Sequence, residues 1–119
     1  MESPSDTTGT NGRIPLGSTG GDTTHAFPST VIKDGSTYKM WYSGNNGTNW
    51  RIFYATSSDG LTWTKNNNAI ESASDTTGTA GRIPLGVTGA DTSGAFDPTV
   101  IKDGSTYKMW YAGYDGSNY

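Results

Sequence analysis

The sequence predicts an all-β protein assembled from an internal repeat, and three observations carry that expectation. The segment TVIKDGSTYKMWY occurs twice without a change, at Thr30–Tyr42 and at Thr99–Tyr111. At the same offset of 69 residues, Ser5–Trp50 aligns without a gap on Ser74–Tyr119, and 34 of the 46 pairs are identical. Repeats of this kind mark stacked supersecondary units, each needing a neighbour to bury its apolar faces. Next, short apolar runs alternate with period two between Gly-, Asn- and Asp-rich turns, and helical spacing is found nowhere. Last, 17 Gly alongside abundant Thr, Ser and Asn suit short strands and tight turns.

Composition narrows the rest. Leu, Ile, Val and Phe supply 15 of 119 residues, fewer than the roughly 20% usual in folded chains. A net charge of only −3, four Trp and seven Tyr oppose disorder, so the core is expected to be aromatic-rich and amphipathic. Mild acidity without a basic patch argues against nucleic acid as a partner. Cysteine is absent, which removes disulfides and thiolate metal sites. No apolar run approaches the ~20 residues of a membrane span, and MESPSD lacks the charged and apolar regions of a signal peptide. No metal or cofactor is expected. His25 has Gly94 as its counterpart, no spaced acidic series resembles a calcium loop, and STGGD lacks the lysine of a phosphate loop.

The first repeat spans residues 1–70. Its residues 2–26 form a polar connection interrupted by the apolar island Ile14-Pro15-Leu16; the counterpart, 71–95, carries Ile83-Pro84-Leu85. So long a connection is either pinned to the body by its island or contributes to a ligand site. Phe27–Lys33 is the first expected strand, followed by an Asp34-Gly35 hairpin turn. Thr37–Ser43 is the second, with Tyr38, Met40 and Tyr42 on one face and Lys39 and Trp41 on the other. Large side chains on both faces suit a sheet packed between two others. The GNNGTN turn at 44–49 leads into Trp50–Thr56, and Ser58-Asp59-Gly60 leads into a short fourth strand, Leu61–Lys65.

Four strands meandering antiparallel in this way make one blade of a β-propeller. The first repeat then holds a complete blade, 27–70, and the second repeat, 71–119, a partial one, 96–119. Propellers close with about four to eight blades. The expectation is therefore a homo-oligomer, in which other copies complete the ring and cover the edge strand Tyr107–Tyr114.

AFDPTVIKDGSTYKMWYAGYDGSNY (95–119), read with RIFYATSSDGLTWTK (51–65), resembles the blade repeat of the glycosidase-like five-bladed propellers. That superfamily joins arabinanases and family 43 glycoside hydrolases with invertases and levansucrases. Ser57–Trp63 is also similar to a shortened Asp-box, the hairpin motif of sialidase-type propellers. The resemblance implies a protein outside the cell or at its surface, with carbohydrate as the ligand class. It also implies a role for Asp97, which precedes Pro98 where the family places its general base or a transition-state-stabilising carboxylate. The first repeat has Pro28-Ser29 at that point, and the family's acid glutamate has no match, since Glu2 and Glu71 open the connections.

Glycoside hydrolysis needs two carboxyl groups flanking the scissile bond, and the chain has nine Asp and two Glu. Turn chemistry accounts for Asp34, Asp59, Asp103 and Asp115. Asp6, Asp22, Asp75 and Asp91 lie in the connections, where local bonds to the backbone are the ordinary role. Asp97 is the candidate catalytic carboxylate, its alternative role being to cap the start of its strand. Trp41 and Trp110 are candidates to stack on sugar rings, against the commoner role of packing between blades. Arg13 and Arg82 are candidates to reach a ligand, against binding a carbonyl across the connection. The residues favour a non-catalytic carbohydrate-binding or scaffold module that assembles with copies of itself. A glycoside hydrolase using Asp97 and a purely structural surface repeat are the alternatives.

Overall fold

The computed structural model describes residues 12–17, 20–66 and 83–119. Among them six strands form one open, mixed sheet, and no helix occurs. The strands β1 (His25–Asp34), β2 (Thr37–Asn45), β3 (Trp50–Ser57) and β4 (Thr64–Lys65) run as an antiparallel meander. A second antiparallel hairpin, β5 (Gly94–Asp103) with β6 (Thr106–Tyr114), joins β3 through one parallel pairing, Trp50 with Gly94. The all-β expectation is met, and every strand expected from the alternation is present.

Both hairpins slip register at the same place, between Pro28 and Thr30 in β1 and between Phe96 and Thr99 in β5. A proline, which has no N–H to give to the ladder, borders the first slip at Pro28 and lies within the second at Pro98. Asp97 adopts φ 51° there, a left-handed conformation that Asp tolerates better than most residues and that Pro28 cannot reach.

Three boundaries lie elsewhere than the pattern predicts. Asp34 pairs with Thr37, so the two-residue loop is Gly35-Ser36. Gly35 takes φ 61°, as the first loop residue of a type II′ turn requires. Next, β1 starts two residues early, because His25 and Ala26 pair with Asn45 and Gly44. Finally, β4 starts at Thr64 because the N–H groups of Leu61 and Thr62 donate to Asp59 Oδ1, at 2.8 and 2.7 Å, and are lost to the ladder.

The period-two pattern sorts β2 as expected. On one face Met40 and Tyr42 pack with Phe53, Ala55, Trp63 and the island residue Ile14. On the other, Trp41 and Ile52 pack with Ala95 and Val100 of β5. Each large side chain buried in this way stabilises the fold by on the order of 2 kcal/mol. The first connection is pinned at its island: the Gly12 N–H donates to the Leu61 carbonyl at 2.8 Å, and Lys65 Nζ donates to the Pro15 carbonyl at 2.9 Å. Asp22 departs from the local role expected of it. Its fully buried carboxylate is bonded to Lys65 Nζ at 2.6 Å and to the Tyr42 hydroxyl at 2.9 Å.

The second hairpin lies against the Trp41 face of the first. Thr30 Oγ1 donates to the Pro98 carbonyl at 2.7 Å, and the Asp97 N–H donates to Ser43 Oγ at 2.8 Å. Asp34 accepts from Lys39 at 2.6 Å, from Lys102 at 2.5 Å and from the Tyr107 hydroxyl. Arg82, like Glu2, Asp6, Glu71 and Asp75, lies outside the described residues.

Candidate functional site

Where the two hairpins diverge from the Trp50–Gly94 pairing they leave a cleft of about 520 Å³. That is within the roughly 300–1,000 Å³ typical of ligand pockets. Its walls are aromatic. Phe27 of β1 stacks on Trp50 of β3 with centroids 5.6 Å apart and planes 21° from parallel. Trp50 in turn meets Phe96 of β5 at 6.4 Å, Phe96 meets Tyr119 at 6.0 Å, and Tyr119 stacks on Tyr114 of β6 at 4.7 Å. His25 closes the far end of the row against Phe27 and Trp50.

Polar groups are interspersed along this wall. Ser43, Thr48, Asn49 and Ser93 line the cleft, and Asn49 Nδ2 is held by the Ser93 carbonyl at 2.9 Å. The GNNGTN turn that carries Asn49 is fixed by one of its own amides: Asn46 Oδ1 accepts from the N–H groups of Thr48 and Asn49, both at 3.0 Å. Rigid aromatic faces with a few oriented polar groups are suited to a flat ligand bearing both C–H and O–H surfaces.

Asp97 stands at the lip of this cleft, exposed, with its backbone fixed by Ser43 Oγ. Among the described lining residues it carries the only side-chain carboxylate. Two-carboxylate chemistry would need a second one beside it.

The other carboxylates among the described residues are engaged elsewhere. Asp59 is drawn down to about 2 by the N–H groups of Thr62 and Leu61 and the Ser57 hydroxyl, which is the turn role expected of it. Asp115 is likewise lowered by the N–H groups of Asn118 and Ser117. Asp34 lies well below the usual carboxylate range because Lys102, Lys39 and Tyr107 all donate to it, and Lys39 is raised in return. The Tyr111 hydroxyl is raised by its bond to Asp91 and then by burial.

Of the residues singled out from sequence, the four that the structure describes are not brought together. Trp41 is buried, its ring packed 5.1 Å from Tyr54 and 5.9 Å from Tyr107. Trp110 is 57% exposed and does not line the cleft. Arg13 borders a separate groove with Ile14, Leu16 and His25. Only Asp97 falls in the cleft. Sequence reading missed Phe27, Trp50, Phe96, Tyr114 and Tyr119. One signal pointed to four of them: Phe27 with Phe96, and Trp50 with Tyr119, are aligned positions that stay aromatic in both repeats, whereas Tyr114 stands where the first repeat has Asn45.

No family model matches the chain. Two proteins of Mycobacterium tuberculosis are similar to it, each 34% identical over 90 residues. They are the uncharacterized protein MT1551 of strain CDC 1551 / Oshkosh and the uncharacterized protein Rv1502 of strain ATCC 25618 / H37Rv. The match takes in 68% of this chain but 25% of either relative, so the chain spans about a quarter of their length.

Proposed function

We propose that the chain is a glycosidase-like β-propeller repeat module that binds carbohydrate in the aromatic cleft without hydrolysing it. In this reading β1 to β4 are one blade, β5 and β6 open the next, and the cleft lies where the two blades meet. The observation that carries it is the row of rings from Phe27 to Tyr114, drawn from both repeats and interspersed with amide and hydroxyl groups. Sugar rings present an apolar face edged by hydroxyls, which is the pattern this wall complements. That the described lining residues offer one side-chain carboxylate, Asp97, supports binding over hydrolysis.

The test is a titration with arabinan, fructan and glucan oligosaccharides, followed by tryptophan fluorescence and calorimetry. Trp50→Ala is expected to weaken binding about tenfold, the equivalent of ~1.4 kcal/mol. Trp110→Ala, outside this cleft, is expected to leave the affinity of the cleft within each copy unchanged. No response to any glycan up to its solubility limit would overturn the reading in favour of a structural repeat. Turnover of arabinan, fructan or aryl glycosides that is lost in Asp97→Asn would replace it with a hydrolase.

A further inference from the structure

We propose that the outer face of the second hairpin binds the first repeat of another copy of this chain, head to tail, through the contacts that already join the two repeats within one copy. This stands independently of carbohydrate binding.

The internal joint is the template. On the side of the first repeat it uses Asp34, Lys39 and Trp41; on the side of the second, Lys102, Tyr107 and Val100. Every one of these residues has an identical counterpart 69 residues away. The matching positions of the second hairpin are Asp103, Lys108 and Trp110, all exposed, and those of the first repeat are Lys33 and Val31, both exposed, and Tyr38, which is half-buried against its own core. Lys108 already binds Asp103 at 2.5 Å, as Lys39 binds Asp34, but with nothing over it: the two side chains are 49% and 62% exposed. Lys33 lies 5.3 Å over the Tyr38 ring, the posture of Lys102 over Tyr107 at 5.9 Å. The apolar parts also correspond. Trp110 is 57% and Ile101 46% exposed on one surface, and Val31 is 48% exposed on the other.

The differences between the repeats support the same joint. Inside the chain, Ser43 Oγ accepts from the Asp97 N–H. At a joint between copies the matching residues are Ala112, which has no hydroxyl, and Pro28, which has no N–H. Acceptor and donor are missing together, so neither is left unsatisfied. The same joint places Phe96 and Tyr119 of one copy beside Phe27 and Trp50 of the next, making a second aromatic cleft without the carboxylate. Such a contact uses two different surfaces, so it propagates into a ring if the rotation closes and into a filament if it does not.

Light scattering against concentration should show a mass above one chain. Asp103→Lys and, separately, Trp110→Ser should return it to one chain while the near-ultraviolet dichroism of the internal joint persists. Because the chain has no cysteine, a chain carrying Asp103→Cys can be mixed with one carrying Lys33→Cys and treated with a short bismaleimide. The mixture is expected to cross-link, and each variant alone is not. A chain carrying both Asp34→Cys and Lys102→Cys calibrates the reaction within one copy. A single-chain mass at every concentration would overturn the proposal. So would Asp103→Cys cross-linking to itself as well as the mixture does, which would mean a face-to-face dimer.

Discussion

Identical side chains in the two repeats differ in exposure according to what lies over them. Tyr42 is fully buried and gives its hydroxyl to the buried Asp22 at 2.9 Å. Its counterpart Tyr111 makes the same bond to Asp91 at 2.8 Å with 40% of its surface exposed. Water can replace the second bond but not the first, so equal deletions should cost unequal amounts. Tyr42→Phe is expected to destabilise the fold by about 1–2 kcal/mol, and Tyr111→Phe by less than about 0.5 kcal/mol. Urea denaturation of the pair checks this, and equal losses would contradict the burial difference. Close packing also fixes the identity of a glycine. A Cβ on Gly44 would stand 2.6 Å from Asp22 Cβ and 2.7 Å from the Phe53 ring. Neither the buried ion pair nor the packed ring can withdraw, so Gly44→Ala should cost roughly 2–3 kcal/mol in the same assay.

At the scale of elements, the long connection is held by a strand of two residues. Lys65 of β4 joins the Pro15 carbonyl to the Asp22 carboxylate, and its side chain is only 14% exposed. Lys65→Ala removes both ties and should cost about 3 kcal/mol. The loss should appear first as proteolytic cleavage within residues 12–22, before any change in strand content by far-ultraviolet dichroism. The strands themselves were legible in the sequence, because the alternation in Thr37–Ser43 and the Gly35 turn are local signals. The ends were less so. Nothing local shows that the Asp59 turn will take the N–H groups of Leu61 and Thr62 and shorten β4. Asp22 was misread for the same reason, since its partners lie 20 and 43 residues away. The sequence singled out only Asp97 of the cleft, through a family resemblance, although the aromatic residues kept at aligned positions of the two repeats also pointed to its wall. Its aromatic wall comes from two repeats meeting at Trp50 and Gly94, and no single stretch of sequence contains that meeting.

At the scale of the whole molecule, the charges that tie one hairpin to the other make their joint sensitive to acid. Asp34 is held well below the ordinary carboxylate range by Lys102, Lys39 and Tyr107, two of which belong to the second hairpin. An aspartate depressed in the folded state contributes its full stability above its unfolded value, near ~3.9. That contribution is lost as pH falls through the lower folded value. Asp59, lowered to about 2, follows the same sign inside the first repeat. Acid should therefore loosen the joint between hairpins progressively below about pH 4. Trp41 reports it, because its ring sits 5.9 Å from Tyr107 across that joint. In wild type the fluorescence of Trp41, isolated by replacing the other tryptophans with Phe, should shift to the red through this range. Asp34→Asn should already be shifted at neutral pH and should respond weakly to acid. Asp103→Asn, the same change at the uncovered copy, should behave as wild type in dilute solution. Both Asp34 and its lysines are partly exposed, with side chains 20% to 37% accessible, so added salt should shrink the difference between Asp34→Asn and wild type. An acid response in Asp34→Asn equal to that of wild type would show that another group holds the two repeats together.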